Sequence, residues 1–340
     1  MNSFIGEIKK YNSLSIVGLE KNTGKTVCLN YILDRLPSDN YSVAVTSIGI
    51  DGENVDSVTS TVKPEIVLKE GTYFSTSEKF YLKKNLLAEL KEITSERSFL
   101  GRIVTGKVLR EGKILLSGPS SSQGLGRWVE GIKKYNVNLT IVDGALSRLS
   151  SASPIISESL ILTTGAAYSA DMTTLVRRTK YIVELVGLEK GESPIIERFK
   201  EIEKGVWGLD SNGELIDFKV ESSLAVDKIK DDIVTKAKIL FVSGALTDRF
   251  IEILTSSKDF AGIEIIVRDF TKIFVSENQY RIFLKKGGVI KVLYNSRLIA
   301  VCVNPVAPNG IVLDSEKLCS NLAEVVKVPV YDLVKNGNIA

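Results

Sequence analysis

The residues best suited to chemistry form a short, glycine-bounded loop near the start of the chain. It runs Gly18-Leu19-Glu20-Lys21-Asn22-Thr23-Gly24-Lys25-Thr26. In a loop of this kind, backbone N–H groups surround a phosphate chain, a lysine reaches the β- and γ-phosphates, and a hydroxyl binds magnesium. These roles fall to Gly24, Lys25 and Thr26. A helix that begins at about Gly24 adds the positive end of its dipole.

The flanking sequence favours this interpretation over a chance Gly-Lys-Thr in a surface turn. The apolar run Leu14–Val17 precedes the loop, and the apolar residues that follow it have helical spacing. They are Val27, Leu29, Ile32, Leu33 and Leu36. Strand, loop and helix in this order are the context that a phosphate-binding loop requires. The predicted nucleotide-binding residues are Gly18, Asn22, Thr23, Gly24, Lys25, Thr26 and Val27.

The spacing within the loop indicates a particular branch of nucleotide-binding proteins. Five residues separate Gly18 from Gly24, one more than in the common pattern. This longer loop resembles that of dethiobiotin synthetase and the cobyrinic acid amidating synthetases. The resemblance implies a P-loop NTPase, an α/β fold with a parallel sheet flanked by helices, and ATP and Mg²⁺ as ligands. Lys21 lies one place from the second lysine of some members of this branch, so we assign it no role.

A first candidate carboxylate is Asp143, which ends the apolar run Leu139–Val142. A carboxylate at such a strand end holds magnesium directly or through water. Many strands end in Asp-Gly turns, so the pattern gains weight only from its pairing with the glycine-bounded loop. We predict Asp143 to be a catalytic residue, together with Lys25, and a magnesium ligand, together with Thr26.

A second candidate carboxylate is Asp51, which follows a segment rich in β-branched residues, Tyr41–Ile50. In the synthetase branch, an acidic residue at that strand end binds magnesium or orients the attacking group. We therefore predict Asp51 to be a third catalytic residue and magnesium ligand, with Glu53 as the second choice. An acidic turn around Gly52 is an alternative of equal weight.

Two further loops are weaker candidates. Ser120–Gly126 consists of small residues between a predicted strand and a predicted helix, which permits close backbone approach to a ligand. A flexible linker explains the same composition equally well. Arg148 lies beyond Asp143 in a loop of small residues, where it is either an arginine finger in cis or a solvated charge.

Composition excludes several classes of function. The chain has 340 residues, a net charge of +3 and no histidine, so a His base, a His ligand, a zinc site and a haem site are all excluded or implausible. The positive charge forms no basic block, which argues against nucleic acid. No apolar run approaches the ~20 residues of a membrane span, and the N-terminus lacks the features of a signal peptide. We expect a cytoplasmic protein.

Alternating segments predict the domain organisation. Strands and helices alternate over residues 1–188, which predicts a nucleotide-binding domain with a parallel sheet. Residues 189–237 predict a helical and hairpin connector, with the turn at Asn212-Gly213. Residues 238–340 predict a smaller C-terminal α/β or α+β domain. Within the first domain, Phe80–Ile93 has apolar residues at helical spacing and predicts a helix.

Several segments together resemble one family, the B subunit of lysine 5,6-aminomutase reactivase. They are Gly18–Thr26, Ser47–Glu53, Ile141–Ala145, Ser150–Pro154 and Val303–Pro308. The resemblance implies a reactivating factor for an adenosylcobalamin-dependent aminomutase of amino-acid fermentation. Its partners would be a second reactivase subunit, itself an ATPase, and the aminomutase. ATP would serve to expel damaged cobalamin so that intact cofactor can enter.

Two other classes of function compete with this one. A ligase similar to dethiobiotin synthetase would phosphorylate a carboxylate or carbamate on a small molecule without a protein partner. A metallochaperone or partitioning ATPase would switch as a homodimer. The longer loop favours the ligase, whereas the absence of histidine and of a clear second lysine weakens the dimeric switch. We rank the reactivase first, the ligase second and the dimeric switch third.

Overall fold

The computed structural model describes residues 4–37, 40–48, 50–51, 65–98, 100–145, 153–154, 156–191, 193–258 and 260–336. The chain divides into two compact units. The first unit contains Met1–Val183 and Ser296–Ala340, and the second contains Glu184–Asn295.

The first unit is built on one large sheet. The strands of this unit are β1 (Ser13–Gly18), β2 (Val43–Ser47), β3 (Ile50–Asp51), β4 (Ile66–Leu68), β5 (Tyr73–Ser77), β6 (Asn85–Ser98), β7 (Gly101–Ile114), β8 (Leu116–Ser117), β9 (Leu139–Ala145), β10 (Ser159–Gly165), β18 (Arg297–Asn304) and β19 (Val330–Asp332), and all of them except β3 and β8 belong to the large sheet. The order in the sheet is β19-β18-β10-β1-β9-β2-β5-β7-β4, and β6 pairs with β7. The pairings from β19 to β5 are parallel, whereas β7 runs antiparallel to β4, β5 and β6. Separately from this sheet, β3 pairs antiparallel with β8.

Helices cover the sheet. They are α1 (Ile5–Ile8), α2 (Lys25–Arg35), α3 (Glu78–Leu82), α4 (Ser122–Ile132), α5 (Met172–Val186), α10 (Ser315–Val325) and α11 (Leu333–Asn336). Side chains of α2 pack with those of β1 in one core cluster, and Trp128 of α4 packs with Val142 of β9 in another. Every residue of β1 and β10 is buried, which is typical of parallel strands covered on both faces. The predicted α/β architecture, a mostly parallel sheet flanked by helices, is confirmed. No helix in the described ranges has the length and apolar character needed to cross a membrane.

One predicted element of the first unit is wrong. The segment Phe80–Ile93 was expected to be a helix, but after the short α3 it enters the long strand β6. Leu86 and Ala88 pack against the core, whereas Leu87 between them is exposed, which is the alternation of a strand. Pairing with β7 over the whole length of β6 outweighs the helical spacing that the sequence shows locally.

The second unit contains a smaller sheet. The strands of this unit are β11 (Val206–Leu209), β12 (Leu215–Asp217), β13 (Ile239–Val242), β14 (Leu246–Thr247), β15 (Glu264–Val267), β16 (Ile273–Phe274) and β17 (Val289–Val292), of which β14 and β16 pair separately. Its helices are α6 (Pro194–Glu197), α7 (Lys230–Lys236), α8 (Asp248–Ser256) and α9 (Glu277–Lys285). The sheet order is β12-β11-β13-β15-β17, with β13, β15 and β17 parallel. The hairpin predicted at Asn212-Gly213 is present as β11 and β12, and Gly213 has a φ of 81°.

The two compact units differ from the sequence-based division at residues 188 and 238. The first boundary falls inside α5, and residues 206–217, expected in a connector, form the hairpin that pairs with β13. The strand-like region 289–301 contributes to both sheets: β17 joins the sheet of the second unit, and β18 joins the large sheet beside β10. Apolar patterns identify strands locally, but they carry no information on which sheet a strand will join.

Candidate functional site

The candidate site lies at the carboxyl ends of adjacent parallel strands of the large sheet. β1 lies between β9 and β10, and β9 lies between β1 and β2. Asp143 in β9 is opposite Ile16 in β1 and Ser47 in β2. This register brings the glycine-bounded loop and Asp143 to one edge of the sheet, where open α/β sheets bind their ligands.

The loop after β1 is held by hydrogen bonds that its own residues make. Leu19 N donates to Thr163 O at 2.9 Å, and Thr23 Oγ1 donates to Glu20 O at 2.9 Å. Thr23 is buried, and its hydroxyl lies 3.0 Å from that of Thr163. Asn22 and Gly24 adopt left-handed conformations, with φ of 62° and 95°. The chain therefore turns sharply twice before α2 begins at Lys25.

Lys25 folds back over the start of the loop and meets Asp143. Its Nζ lies 3.3 Å from Asp143 Oδ1, and the two side chains are 14% and 3% exposed. A Cβ at Gly18 would lie 2.9 Å from Lys25 Cγ and 2.7 Å from Thr23 Oγ1. Gly18 is therefore required because the lysine stem and the threonine occupy the space that a side chain would need. A mostly buried ammonium and a buried carboxylate are brought together by the loop.

The start of α2 differs from the starts of the other long helices. The side chains of Ser121, Thr247, Ser276 and Asp314 accept hydrogen bonds at the N-termini of α4, α8, α9 and α10. At α2 the N-cap is Gly24, which supplies no side-chain acceptor, and the first turn has no acidic residue. Lys25 and Thr26 occupy that first turn. The combination of a helix dipole and a lysine gives this terminus a positive potential that suits an anion.

A residue from the far end of the chain, Asn304, also holds the loop. Asn304 ends β18, and its Nδ2 donates to Asn22 O at 3.0 Å. A Cβ at Gly24 would lie 3.2 Å from Asn304 Cβ, so the loop and this side chain are in close contact. Sequence reasoning gave Asn304 no role, although the segment Val303–Pro308 was noted. Its place at the end of an apolar run was the available signal.

A groove of about 440 Å³ adjoins the loop. Its lining residues come from the loop, from the turn after β10 and from the turn after β18: Glu20, Lys21, Asn22, Ala166, Ala167, Ala307, Pro308 and Asn309. Lys21, to which the sequence assigned no role, is exposed at this groove. The walls combine small apolar side chains with polar groups, as small-molecule sites do.

The structure places some of the predicted site residues, and others lie outside its described part. Thr26 lies in the first turn of α2, partly exposed, whereas Val27 packs against the core. The backbone of Asp51 lies in β3, opposite Leu116 of β8, but the described part of the structure does not include its side chain. Glu53 and Arg148 lie outside the described residues.

The Ser120–Gly126 segment is mostly the beginning of a helix. Ser121 Oγ accepts a hydrogen bond from Gly124 N at 3.0 Å and caps α4, so the flexible-linker interpretation is wrong for this part. Just before it, a Cβ at Gly118 would lie 1.8 Å from Ser47 O. The backbone at Gly118 therefore passes directly against the end of β2, beside the candidate site.

Two cysteines lie behind the loop. Cys28 in α2 and Cys302 in β18 are buried, with their sulfur atoms 3.9 Å apart. Burial, followed by the hydrogen bond from Cys28, raises the pKa of the Cys302 thiol well above its ordinary value. The Cys302 thiol therefore stays protonated and unreactive, and it serves to pack β18 against α2.

Comparison with known proteins assigns no family to this chain. It matches no protein-family model, and neither the curated proteins nor the solved structures gave a significant match. The functional argument therefore depends on the geometry of the site itself.

Proposed function

We propose that the Gly18–Thr26 loop binds a nucleoside triphosphate with magnesium, as in P-loop NTPases. The observation that carries the proposal is the packing of Lys25 across Gly18 to reach Asp143 at 3.3 Å. Lys25 lies at the N-terminus of α2, where a phosphate chain would bind. Its ion-pair partner is the carboxylate of Asp143, near the end of β9. A structural ion pair alone would not need the glycine, the uncapped helix and the threonine at the same place.

The chain's own groups fit such a ligand. Lys25 and the start of α2 would hold the phosphates, and the Thr26 hydroxyl with the Asp143 carboxylate forms the oxygen donor set that magnesium prefers. Bound magnesium would neutralise charge on the phosphates. Asp51 stays a proposed third ligand on the strength of its position after β2. The adjoining groove is of a size to receive the nucleoside, between its alanines, Pro308 and Asn309.

We propose further that this site belongs to the nucleotide-binding subunit of a reactivating factor for an adenosylcobalamin-dependent aminomutase. The support is the resemblance of the segments quoted above, three of which meet at the site. The loop touches Asn304 at 3.0 Å, and Lys25 touches Asp143. Nucleotide binding and release there would alter loop positions and so bias contact with a partner protein, either the aminomutase or a partner ATPase subunit.

The nucleotide assignment is tested by removing the lysine. Lys25→Ala is expected to weaken ATP binding about 100-fold, because hydrogen bonds to charged groups contribute about 1.5–3 kcal/mol each. Isothermal titration calorimetry with ATP and with GTP, with and without magnesium, measures the affinities. It also shows whether the site prefers the adenine or the guanine nucleotide. Lys133→Ala, on an exposed side chain, is the matched control.

Loss of binding must be separated from loss of folding. Lys25→Ala removes a charge partner from buried Asp143, and breaking a buried pair costs about 3–5 kcal/mol. The double variant Lys25→Met with Asp143→Asn removes both charges and should melt close to the native protein while still failing to bind. Unchanged ATP affinity in either folded variant would overturn the nucleotide assignment.

A second experiment separates the reactivase from a ligase. ATP hydrolysis is measured with the purified chain alone, then with a cobalamin-dependent aminomutase and a partner ATPase subunit. Hydrolysis or cobalamin exchange that requires those proteins supports the reactivase. Phosphate release stimulated by a small carboxylate or amine, with no protein added, would replace it with the ligase, for which the groove beside the loop would be the substrate pocket.

A further inference from the structure

The side chain of Asn304 makes hydrogen bonds in two directions. Its Nδ2 donates to Asn22 O at 3.0 Å, inside the glycine-bounded loop, and its Oδ1 accepts from Val306 N at 3.1 Å. A carbonyl can only accept and a backbone N–H can only donate, so these two partners fix the orientation of the amide. One planar group therefore joins the candidate phosphate site to the segment that follows β18.

That segment is a short hairpin over residues 305–313. Leu313 N donates to Pro305 O at 2.9 Å and closes the hairpin at its base. Nearer the tip, Ala307 N donates to Ile311 O at the same distance. The hairpin therefore has hydrogen bonds of its own, to which Asn304 adds one more at the first N–H after Pro305.

The 305–313 hairpin presents apolar side chains to solvent beside the groove. Val306, Ile311 and Val312 are 42%, 36% and 67% exposed, while Ala307 and Pro308 line the groove itself. Apolar side chains grouped in this way are more often found where a protein meets a ligand or a partner. A change in the hairpin would therefore change the apolar surface next to the nucleotide site.

The backbone of Asn304 is fixed, whereas both partners of its side chain lie in loops. Asn304 is opposite Gly165 of β10, and its O accepts from Ala166 N at 3.0 Å. A Cβ at Gly165 would lie 1.9 Å from Asn304 O, so the two strand ends are in close contact. The amide of Asn304 can therefore follow a shift of Asn22 O only by rotating about its side-chain bonds. Because Nδ2 and Oδ1 belong to one rigid group, that rotation also moves the acceptor of Val306 N.

We propose that Asn304 is a positioning residue that couples the phosphate site to the 305–313 hairpin, an inference that rests on the proposed binding of phosphates at Gly18–Thr26. Asn22 lies in that loop with a φ of 62°, two residues before the N-cap of α2. Phosphates that accept from the backbone N–H groups of the loop order it. Asn22 O then holds the Asn304 amide in the orientation that accepts from Val306 N. The hairpin is more tightly held when phosphates are bound, so its apolar surface reports the state of the site.

Hydrogen–deuterium exchange measured by mass spectrometry tests the coupling, with the amides of residues 18–26 and 306–313 followed separately. The probe is inorganic tripolyphosphate with magnesium, because it has no nucleoside that could protect the hairpin by filling the groove. In the native chain we expect the probe to slow exchange in both segments. The effect at the hairpin should be at least about threefold, as a strengthened hydrogen bond would give.

Two substitutions of Asn304 separate its roles. In Asn304→Asp the carboxylate still accepts from Val306 N but cannot donate to Asn22 O. We expect the probe to slow exchange in residues 18–26, at a higher concentration because of the added negative charge, while residues 306–313 no longer respond. Asn304→Ala loses both bonds without adding charge. It should show the same uncoupling, with faster exchange in the hairpin even without the probe.

Asn138→Asp is the matched control. It adds the same charge immediately before β9, at the opposite end of that strand from Asp143. Asn138 Oδ1 accepts from Ser42 N at 2.7 Å, and an aspartate keeps that role. This variant should therefore retain the native response of both segments to the probe.

The possible outcomes distinguish the coupling from the phosphate site. If the probe slows exchange in residues 18–26 of the native chain but leaves the hairpin unchanged or faster, the coupling is wrong and the phosphate site stands. The coupling is equally wrong if the hairpin of either Asn304 variant responds like that of the native chain. If neither segment responds, the coupling is overturned, and calorimetry with ATP shows whether the phosphate site fails with it.

Discussion

The segments after β1 and β13 both connect a parallel strand to a helix, the second by way of the short strand β14, but the two helices begin in opposite ways. In the second unit, Thr247 caps α8 by accepting a hydrogen bond from Phe250 N at 3.4 Å, and Asp248 places a negative charge in the first turn. In the first unit, Gly24 caps α2 without a side chain, and Lys25 places a positive charge there. The dipole of α8 is balanced by the helix's own Thr247 and Asp248. The start of α2 has no such groups, so its positive potential suits an external anion.

The glycines of the two turns, Gly18 and Gly244, differ in how much space surrounds them. A Cβ at Gly18 would collide with the Lys25 stem and the Thr23 hydroxyl, whereas a Cβ at Gly244 would find no atom within 4 Å. Gly244 also has no left-handed φ, so an alanine suits its backbone. The same α/β arrangement therefore requires glycine only where a loop must fold closely around its own lysine. Comparable turns can carry very different functions on similar scaffolds.

The largest effect that tests this comparison comes from adding one methyl group to each turn. Gly18→Ala forces the lysine stem to move, and overpacking of this kind costs about 1–3 kcal/mol. If that cost falls on the conformation that binds ATP, the affinity drops by about 5- to 140-fold. Gly244→Ala should change neither the binding nor, beyond about 0.5 kcal/mol, the stability. Calorimetric titration and thermal unfolding of both variants measure this. Equal ATP affinities in the two variants would mean that the crowding at Gly18 has no functional consequence.

A smaller effect is expected from two buried aspartates, Asp143 near the end of β9 and Asp269 just after β15. Asp143→Asn should weaken ATP binding about tenfold in the presence of magnesium and much less in its absence, because the amide is a poorer magnesium ligand. Asp269, after β15, accepts a hydrogen bond from Thr271 N at 2.9 Å and caps a turn. Asp269→Asn should lower stability without changing ATP affinity. Equal losses with and without magnesium for Asp143→Asn would make Asp143 a structural residue.

The smallest effect is expected at the capped helix. Thr247→Ala removes the N-cap of α8, which typically lowers the free energy of unfolding by about 1 kcal/mol. Thermal unfolding should show this loss, while ATP titration should give the native affinity. If ATP affinity fell as well, the start of α8 would have to be counted as part of the nucleotide site, and the contrast between the two turns would fail.

Local reasoning predicted the strand, the loop and the helix around Lys25 because each depends on residues close together in sequence. β1 and α2 lie where the apolar run and the helical spacing indicated. Asp143 could also be placed, since parallel strands bring their carboxyl ends to the same edge of a sheet. Its actual distance from Lys25, 3.3 Å, required the register of β9 against β1.

Other features depended on contacts between distant residues. Phe80–Ile93 has helical spacing, yet the available partner β7 makes most of it a strand. The hydrogen bond from Asn304 to Asn22 joins residues that are 282 positions apart in the sequence, and nothing near either residue predicts it. The assignment of β17 and β18 to different sheets has the same origin, because strand pairing is decided by the whole chain.

The sequence alone therefore determined the chemistry that this protein can offer: a lysine, a hydroxyl and a carboxylate beside a glycine-bounded turn, with no histidine. Those residue types and their spacing are set by covalent order. The tertiary structure decided which of them meet and how deeply Lys25 and Asp143 are buried. It also decided that Asn304, at the end of β18, donates a hydrogen bond to the loop. Burial and long-range pairing arise only when the chain is folded, because they depend on the free energy of the whole sheet and not on that of any segment.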